Sequence, residues 1–454
     1  MMNSQKQKLE LLGTAPIPKA LLAMGIPTMI GMLINALYNL VDAYFVGGLG
    51  ESQMGAISIV YPLGQVVVGL GLLFGNGAAS YISRLLGQGK EEQANKVAST
   101  SLYCSLSTGI ILILFCVVFL KPILLLLGAT KSILPYAMTY AGIYIISCIF
   151  NVFNVTMNNI VTSEGAAKTT MFALLTGAIL NIALDPIFIY AFNFGVAGAA
   201  IATAISQVVS TLVYLYYLFS KKSIFRFHLK DCSFSKEIFS EIFKIGVPTL
   251  VFQLLTSLSI SLINNAAGTY GDAAIAGMGV VTRLVSMGSL TVFGFIKGFQ
   301  PIAGYSYGAK KYERLRQAIK TSILWSTIFC VAAGFGFVLF PAQIISQFTT
   351  GNAEMIRIGA DSLRINGITF MLFGYYTVYS SLFLALGKGK EGFLLGACRQ
   401  GICFIPVILI LPTIWGLNGI LYAQPIADVL SFLISLLMAL SLHKQLKLSE
   451  AQNN

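Results

Sequence analysis

Apolar stretches long enough to cross a bilayer recur along this chain from Leu21 to its last few dozen residues, and that recurrence limits the fold more than any other feature. A helix rises about 1.5 Å per residue, so roughly twenty apolar residues cover the ~30 Å of hydrocarbon. Residues 21–45, 110–127, 171–191 and 323–339 are among these stretches, and no sizeable soluble domain fits between them. With 56% hydrophobic and only 10% charged residues, the chain carries more apolar surface than one soluble core can hide. Transmembrane strands would alternate over about ten residues, so the longer runs of Leu, Ile, Gly and Ala here leave helices as the reading. Residues 1–19 are basic and amphipathic. The apolar stretch after them is longer than that of a signal peptide and has no small-residue cleavage site, so a retained first span is expected.

Twelve helices are expected, at 20–46, 54–82, 98–119, 135–161, 169–191, 196–219, 246–267, 273–301, 321–340, 357–385, 393–412 and 417–440. The loops that then share a side with both termini carry most of the 29 Lys and Arg residues, including Arg84, Lys90, Lys221, Lys222, Arg226, Lys230, Lys310, Lys311 and Arg314. The opposite loops hold Lys121, Lys131 and Arg357. The positive-inside rule therefore predicts that both termini are cytoplasmic. The net charge of +12 belongs to these short loops, with no groove or recognition helix for nucleic acid. The seven cysteines are scattered through apolar sequence without metal-ligand spacing, and packing is their expected role.

The chain repeats itself. Gly25-Ile26-Pro27-Thr28 aligns with Gly246-Val247-Pro248-Thr249, and at the same offset Gly50 aligns with Gly271, Gly77 with Gly298, Gly87 with Gly308, and Gly195 with Gly416. Six helices per copy is an even number, so both copies enter from one side. The expected fold is all-α and integral to the membrane: two parallel six-helix repeats about a pseudo-twofold axis along the membrane normal, with a central cavity suited to alternating access. The expected units are 1–220, a cytoplasmic linker at 221–245, and 246–454.

An intramembrane carboxylate is costly and marks a functional site by default. Asp42, Asp185 and Asp428 are the clear cases. Asp42 lies about a turn inside the outer end of helix one, Asp185 slightly deeper on helix five, and Thr203 roughly 10 Å down helix six, at a comparable depth. Residues three or four apart share a helix face. Asn35, Tyr38, Asn39 and Asp42 make one polar stripe, Asn154 and Asn158 another, and Thr203 and Gln207 a third, while Asn181 precedes Asp185 by a turn. If these stripes face inward they form a polar pocket holding two carboxyls. Crowding two carboxyls out of water disfavours the doubly ionised state, which opens a route to proton uptake near neutral pH. Pro186 lacks an N–H and is expected to open helix five beside the site. Asp428 is expected to pair with a neighbouring helix, Arg283 to make a lobe-stabilising ion pair or hydrogen bond, and Lys297 to snorkel to the cytoplasmic end.

The run Asn39-Leu40-Val41-Asp42-Ala43-Tyr44-Phe45-Val46-Gly47, the segment Gly77-Ala78-Ala79-Ser80 with Arg84-Leu85-Leu86-Gly87, the segment Asn181-Ile182-Ala183-Leu184-Asp185-Pro186, and Pro301-Ile302-Ala303-Gly304-Tyr305-Ser306-Tyr307-Gly308-Ala309 carry a resemblance. Over essentially its whole length the chain resembles the multidrug and toxic compound extrusion family, in its bacterial multidrug-export branch. The resemblance implies a multi-pass protein of the bacterial cell membrane, acting as a monomer, that exports bulky organic cations and drugs in exchange for H+ or Na+ without any cofactor. It implies that Asp42, Asp185, Asn181 and Thr203 form the coupling pocket. The sodium-coupled branch carries a further acid on helix seven; residues 247–267 here have Gln253, Asn264 and Asn265 but no Asp or Glu. H+ is therefore the expected ion and Na+ the alternative. Planar cations suit aromatic and apolar walls, for which Tyr136, Tyr140, Phe153, Met157, Met287, Phe370 and Tyr376 are the candidates. A lipid or oligosaccharide flippase would need more basic residues in the cavity than Arg283, Arg364 and Arg399. An intramembrane enzyme would need a converging metal or nucleophile motif, and the two histidines, His228 and His443, lie outside the expected helices.

Overall fold

A computed structural model describes residues 2–348 and 353–451. Among the described residues there are 12 helices long and apolar enough to cross a membrane, and they are numbered here as spans one to twelve. The first six are Ile17–Gly47, Ser52–Gly87, Glu91–Val118, Leu134–Ser163, Ala167–Ala191 and Val196–Phe219. The second six are Lys236–Gly268, Ala273–Gly308, Tyr312–Leu339, Ala353–Ala385, Gly389–Trp415 and Leu417–Leu448. All twelve expected helices are present. Several begin earlier or end later than their apolar cores suggested, because polar turns such as those at Glu91 and Tyr312 continue the helix past the hydrocarbon. Span seven begins at Lys236, inside the stretch expected as linker, where the Ser235 hydroxyl accepts from the Ile238 N–H and caps its first turn.

The repeat is visible in the backbone itself. Gly195 and Gly416, at matching positions, open spans six and twelve with φ of +55° and +59°, a region glycine enters without strain. Other matched glycines hold the two lobes together. A Cβ on Gly77 would stand 2.3 Å from the Ile242 carbonyl oxygen, and one on its counterpart Gly298 would stand 2.5 Å from the Gly25 nitrogen. Each glycine in a helix costs about 1 kcal/mol of propensity. Here that cost is offset by backbone-to-backbone packing of spans one and two against eight and seven.

Hydrogen bonds run along the same seam. Thr28 donates to the Gly294 carbonyl at 2.6 Å, Asn76 to Thr249 at 2.9 Å, and Ser80 to the Leu384 carbonyl at 2.5 Å. Arg84 meets Glu241 at 2.6 Å, and Gln253 meets Gln65. All but the Gln65–Gln253 contact lie toward the linker side. Beyond Gln65 and Gln253 no hydrogen bond among the described residues crosses between the lobes on the far side, where Leu37, Leu40, Tyr61, Leu258 and Met287 are exposed. The cross-lobe hydrogen bonds among the described residues thus hold the seam together on the linker side and leave the far side without them.

A short helix, Met2–Gly13, straddles the linker-side end of the seam. Lys8 pairs with the fully buried Glu164 at 3.6 Å, contacts Tyr217, and donates to the Lys222 carbonyl at 2.6 Å. Burial pushes the Lys8 ammonium below its ordinary value, against the pull of Glu164. From the second lobe, Arg314 donates to the carbonyls of Leu12 and Ala15 at 3.0 and 2.5 Å. Those are acceptors that a helix end leaves unpaired.

Candidate functional site

Three spans of the first lobe deliver polar side chains to one layer. Span one presents Tyr38 and Asp42, one turn apart. Span five presents Asn181 and Asp185, and immediately after Pro186 it widens into a π-helical turn, Ile187–Ala191, where the Phe192 N–H reaches back to the Ile187 carbonyl at 2.9 Å. The missing proline N–H leaves the preceding turn short of a donor, and such local widening recurs at functional sites. Span six contributes Thr203.

Here the carboxyl groups of Asp42 and Asp185 are in side-chain contact with each other, with Tyr38 and Tyr140 standing close to both. Asp185 is fully buried. Its two carboxyl oxygens, Asp42 Oδ1 and Asn181 Oδ1 have no donor among the described residues. Nor does any Lys, Arg or His form an ion pair with either acid among those residues. A buried carboxylate with neither cation nor hydrogen bond is the costliest arrangement a protein holds. Two ionised carboxylates have no proton to donate to one another, and a proton placed between them supplies the missing bond.

Below the acids lies a cavity of about 50 Å³, lined by Asn35, Tyr38, Asn181, Thr203, Gln207 and Tyr214 among others. That is room for a few waters. Asn181 donates to Thr203 at 3.4 Å. On the far wall Asn154 donates to the Gln207 side chain at 2.8 Å and accepts from Thr211 at 3.0 Å, and Asn158 donates to the Tyr214 hydroxyl at 3.2 Å. The first-lobe spans therefore gather three hydrogen-bonded groups around one cavity, a polar series that runs from the acid pair to Tyr214 and its partner Asn158.

Asn39 does not join it. The Asn39 side chain is exposed and donates to the Asn35 carbonyl of its own helix at 2.6 Å, because it sits about 100° around the helix from Tyr38. The aromatic and Met candidates also separate. Phe153 and Met157 are packed in one apolar core and Phe370 and Tyr376 in another, and none of the four lines the cavity below the acids. Tyr140 stacks on Tyr144 at 5.8 Å beside the acids. Tyr136 and Met287 are exposed.

Sequence reasoning passed over Tyr214, although Thr203, Gln207, Ser210 and Tyr214 keep the 4-3-4 spacing of one helix face. It also misjudged two cations. Arg283 is exposed and has no ion pair among the described residues. Lys297 does not snorkel; it reaches across the seam and donates to Asn158 Oδ1.

The second lobe has a polar centre of another kind. Span eleven opens into a π-helical turn, Cys398–Ile402, which presents Arg399. Its Nε donates to Asp428 Oδ1 of span twelve at 2.8 Å, Gln424 donates to the same oxygen at 2.8 Å, and the guanidinium lies 4.6 Å from the centre of the Phe373 ring. Asp428 has the helix partner expected of it.

Known proteins agree with this architecture. The sequence profile of the MatE family matches residues 27–187 and again 248–410, one match in each half. The chain belongs to the MatE family. It is 32% identical to the multidrug export protein MepA of Staphylococcus aureus strain MRSA252, over 96% of this chain and 97% of that protein. It is 33% identical to MepA of Staphylococcus saprophyticus, over 96% of each chain. A structure described as the outward-facing conformation of a multidrug resistance MATE family transporter superposes with a TM-score of 0.92 at 29% identity, covering 97% of this chain and 99% of the other. As a MatE protein, the chain is a multi-pass membrane transporter with the two-repeat architecture of its relatives.

Proposed function

We propose that this MatE protein is a multidrug efflux antiporter that exports bulky organic cations in exchange for H+ by alternating access. The observation that carries the reading is the buried, uncompensated contact between Asp42 and Asp185. Asp185 and Asp42 hold the proton, Asn181 and Thr203 set the polar wall beside it, and the π-helical turn after Pro186 gives span five a place to bend. With the linker side cytoplasmic, as the basic loops favour, the less tightly bonded side of the seam and the acids both face outward, so the acids meet protons where export ends. Uptake of a proton removes charge from the pocket and weakens its hold on a cation, and loss of the proton restores it. A one-for-one exchange of H+ for a singly charged cation moves no net charge, so the pH difference drives it: one pH unit supplies about 1.4 kcal/mol, enough for roughly a ten-fold gradient of cargo.

The test uses purified protein in liposomes with a fluorescent cationic dye, driven in turn by an imposed pH gradient and an imposed Na+ gradient. Accumulation under the pH gradient alone is expected. Accumulation that follows Na+ and ignores pH would transfer the same pocket to the alternative ion. A second lobe without an acid on the membrane-embedded part of span seven favours H+.

A further inference from the structure

Among the described residues, Lys297 is the cation by which the second lobe reaches the polar side chains of the first-lobe cavity. It sits on span eight between Gly294 and Gly298, whose Cβ positions would lie 2.5 Å from Met29 Cα and from the Gly25 nitrogen. Any slide of span eight against span one therefore carries Lys297 with it. Its ammonium donates to Asn158 Oδ1 in the first lobe. Asn158 in turn donates to Tyr214 at 3.2 Å, and Tyr214 lines the cavity that also holds Asn181 and Thr203. No carboxylate among the described residues pairs with Lys297.

The rest of its surroundings offers a second seat. Beside the ammonium is a pocket of about 20 Å³ lined by Asn76, Ser80, Asn159 and Gln300. That is space for about one water. Asn76 donates to Thr249 at 2.9 Å, Asn159 to the Val155 carbonyl at 2.8 Å, and Gln300 to Ser381 at 3.3 Å. The amide oxygens of these three residues accept from no donor among the described residues and so suit an ammonium. Two discrete positions, one on Asn158 and one in the slot, are what a coupling element requires, since packed seams switch between arrangements and do not deform smoothly.

We propose that Lys297 is the positioning residue that ties the proton state of the first lobe to closure of the seam. Docked on Asn158, it holds the polar series and keeps the linker side shut. Withdrawn into the slot, it frees the lobes to part there. The inference rests on the exchange reading above and adds to it the contact through which the exchange is felt by the second lobe.

The experiment compares wild type, Lys297→Met and Lys297→Arg in dye-loaded liposomes, measuring downhill dye exchange and gradient-driven accumulation separately. Lys297→Met is expected to lose about ten-fold of the driven accumulation while downhill exchange stays within about two-fold, with partial recovery in Lys297→Arg. Spin labels at Lys168→Cys and Lys320→Cys, both exposed on the linker side, give a readout independent of transport. In Lys297→Met their distance distribution is expected to shift toward the longer, parted population. Wild-type driven accumulation in Lys297→Met, equal loss of driven and downhill flux, or an unchanged label distance each overturns the proposal. Wild type that accumulates dye under neither gradient would instead overturn the exchange reading, and that result is scored on the wild type alone.

Discussion

Within one repeated architecture the two lobes carry opposite solutions to the same electrostatic problem, and they do so at positions the repeat does not match. The constant offset of the repeat places Gln424 opposite Thr203, Asp428 opposite Gln207, Ser431 opposite Ser210 and Arg399 opposite Ala178. In the second lobe the buried acid is fixed by a guanidinium and an amide, each at 2.8 Å. In the first lobe the fully buried Asp185 meets the half-buried Asp42, and among the described residues no cation pairs with either acid and no donor reaches Asp185. The positions matching Asp42 and Asp185 hold Ile263 and Pro406, so the second lobe has no such pair. One lobe carries its cation as part of the chain and cannot exchange it. The other provides no cation from the chain among the described residues, as the proposed exchange requires.

The comparison breaks most decisively at Asp185. Asp185→Asn is expected to abolish proton-driven dye transport while the protein still inserts and binds dye, as read by liposome flux beside a dye-binding titration. Next in size is Asp428→Asn, which leaves the Arg399 charge buried and unpaired. It is expected to cost about 3–5 kcal/mol of stability, seen as a lowered thermal midpoint in detergent, with proton coupling intact in the protein that remains folded. Removing both charges with Arg399→Met and Asp428→Leu is expected to recover most of that loss, because a well-packed apolar pair replaces a buried ion pair at little net cost. If the double substitution abolished proton coupling, the second lobe would belong to the exchange and the contrast between the lobes would fall. The smallest effect is expected at Tyr214→Phe, which removes one hydrogen bond with Asn158, worth about 1 kcal/mol, and slows driven transport by roughly five-fold.

Much of this was legible in the sequence because membranes make it so. A bilayer forces every backbone group into a helix and makes each carboxylate conspicuous, so the twelve spans, Asp42 and Asp185 can be read from composition and spacing. The matched glycines announced the repeat. Their physical reason, contact between helix backbones at the seam, needs the fold. Helix ends were less legible: polar turns such as Glu91 and Tyr312 continue a helix past the apolar signal that marks it. The aromatic candidates misled because Phe370 and Tyr376 look alike in sequence whether they face a cavity or a core. Lys297 was misread because its partner, Asn158, is far away in sequence, and no local pattern records a contact made across two lobes.

Most direct for the central claim is proton release upon cargo binding. Purified protein in weakly buffered detergent solution with a pH indicator would be titrated with dye, alongside Asp42→Asn and Asp185→Asn. The account predicts that wild type releases protons as dye binds and that neither variant does. Dye binding by wild type with no proton release, or equal release from both variants, would contradict it.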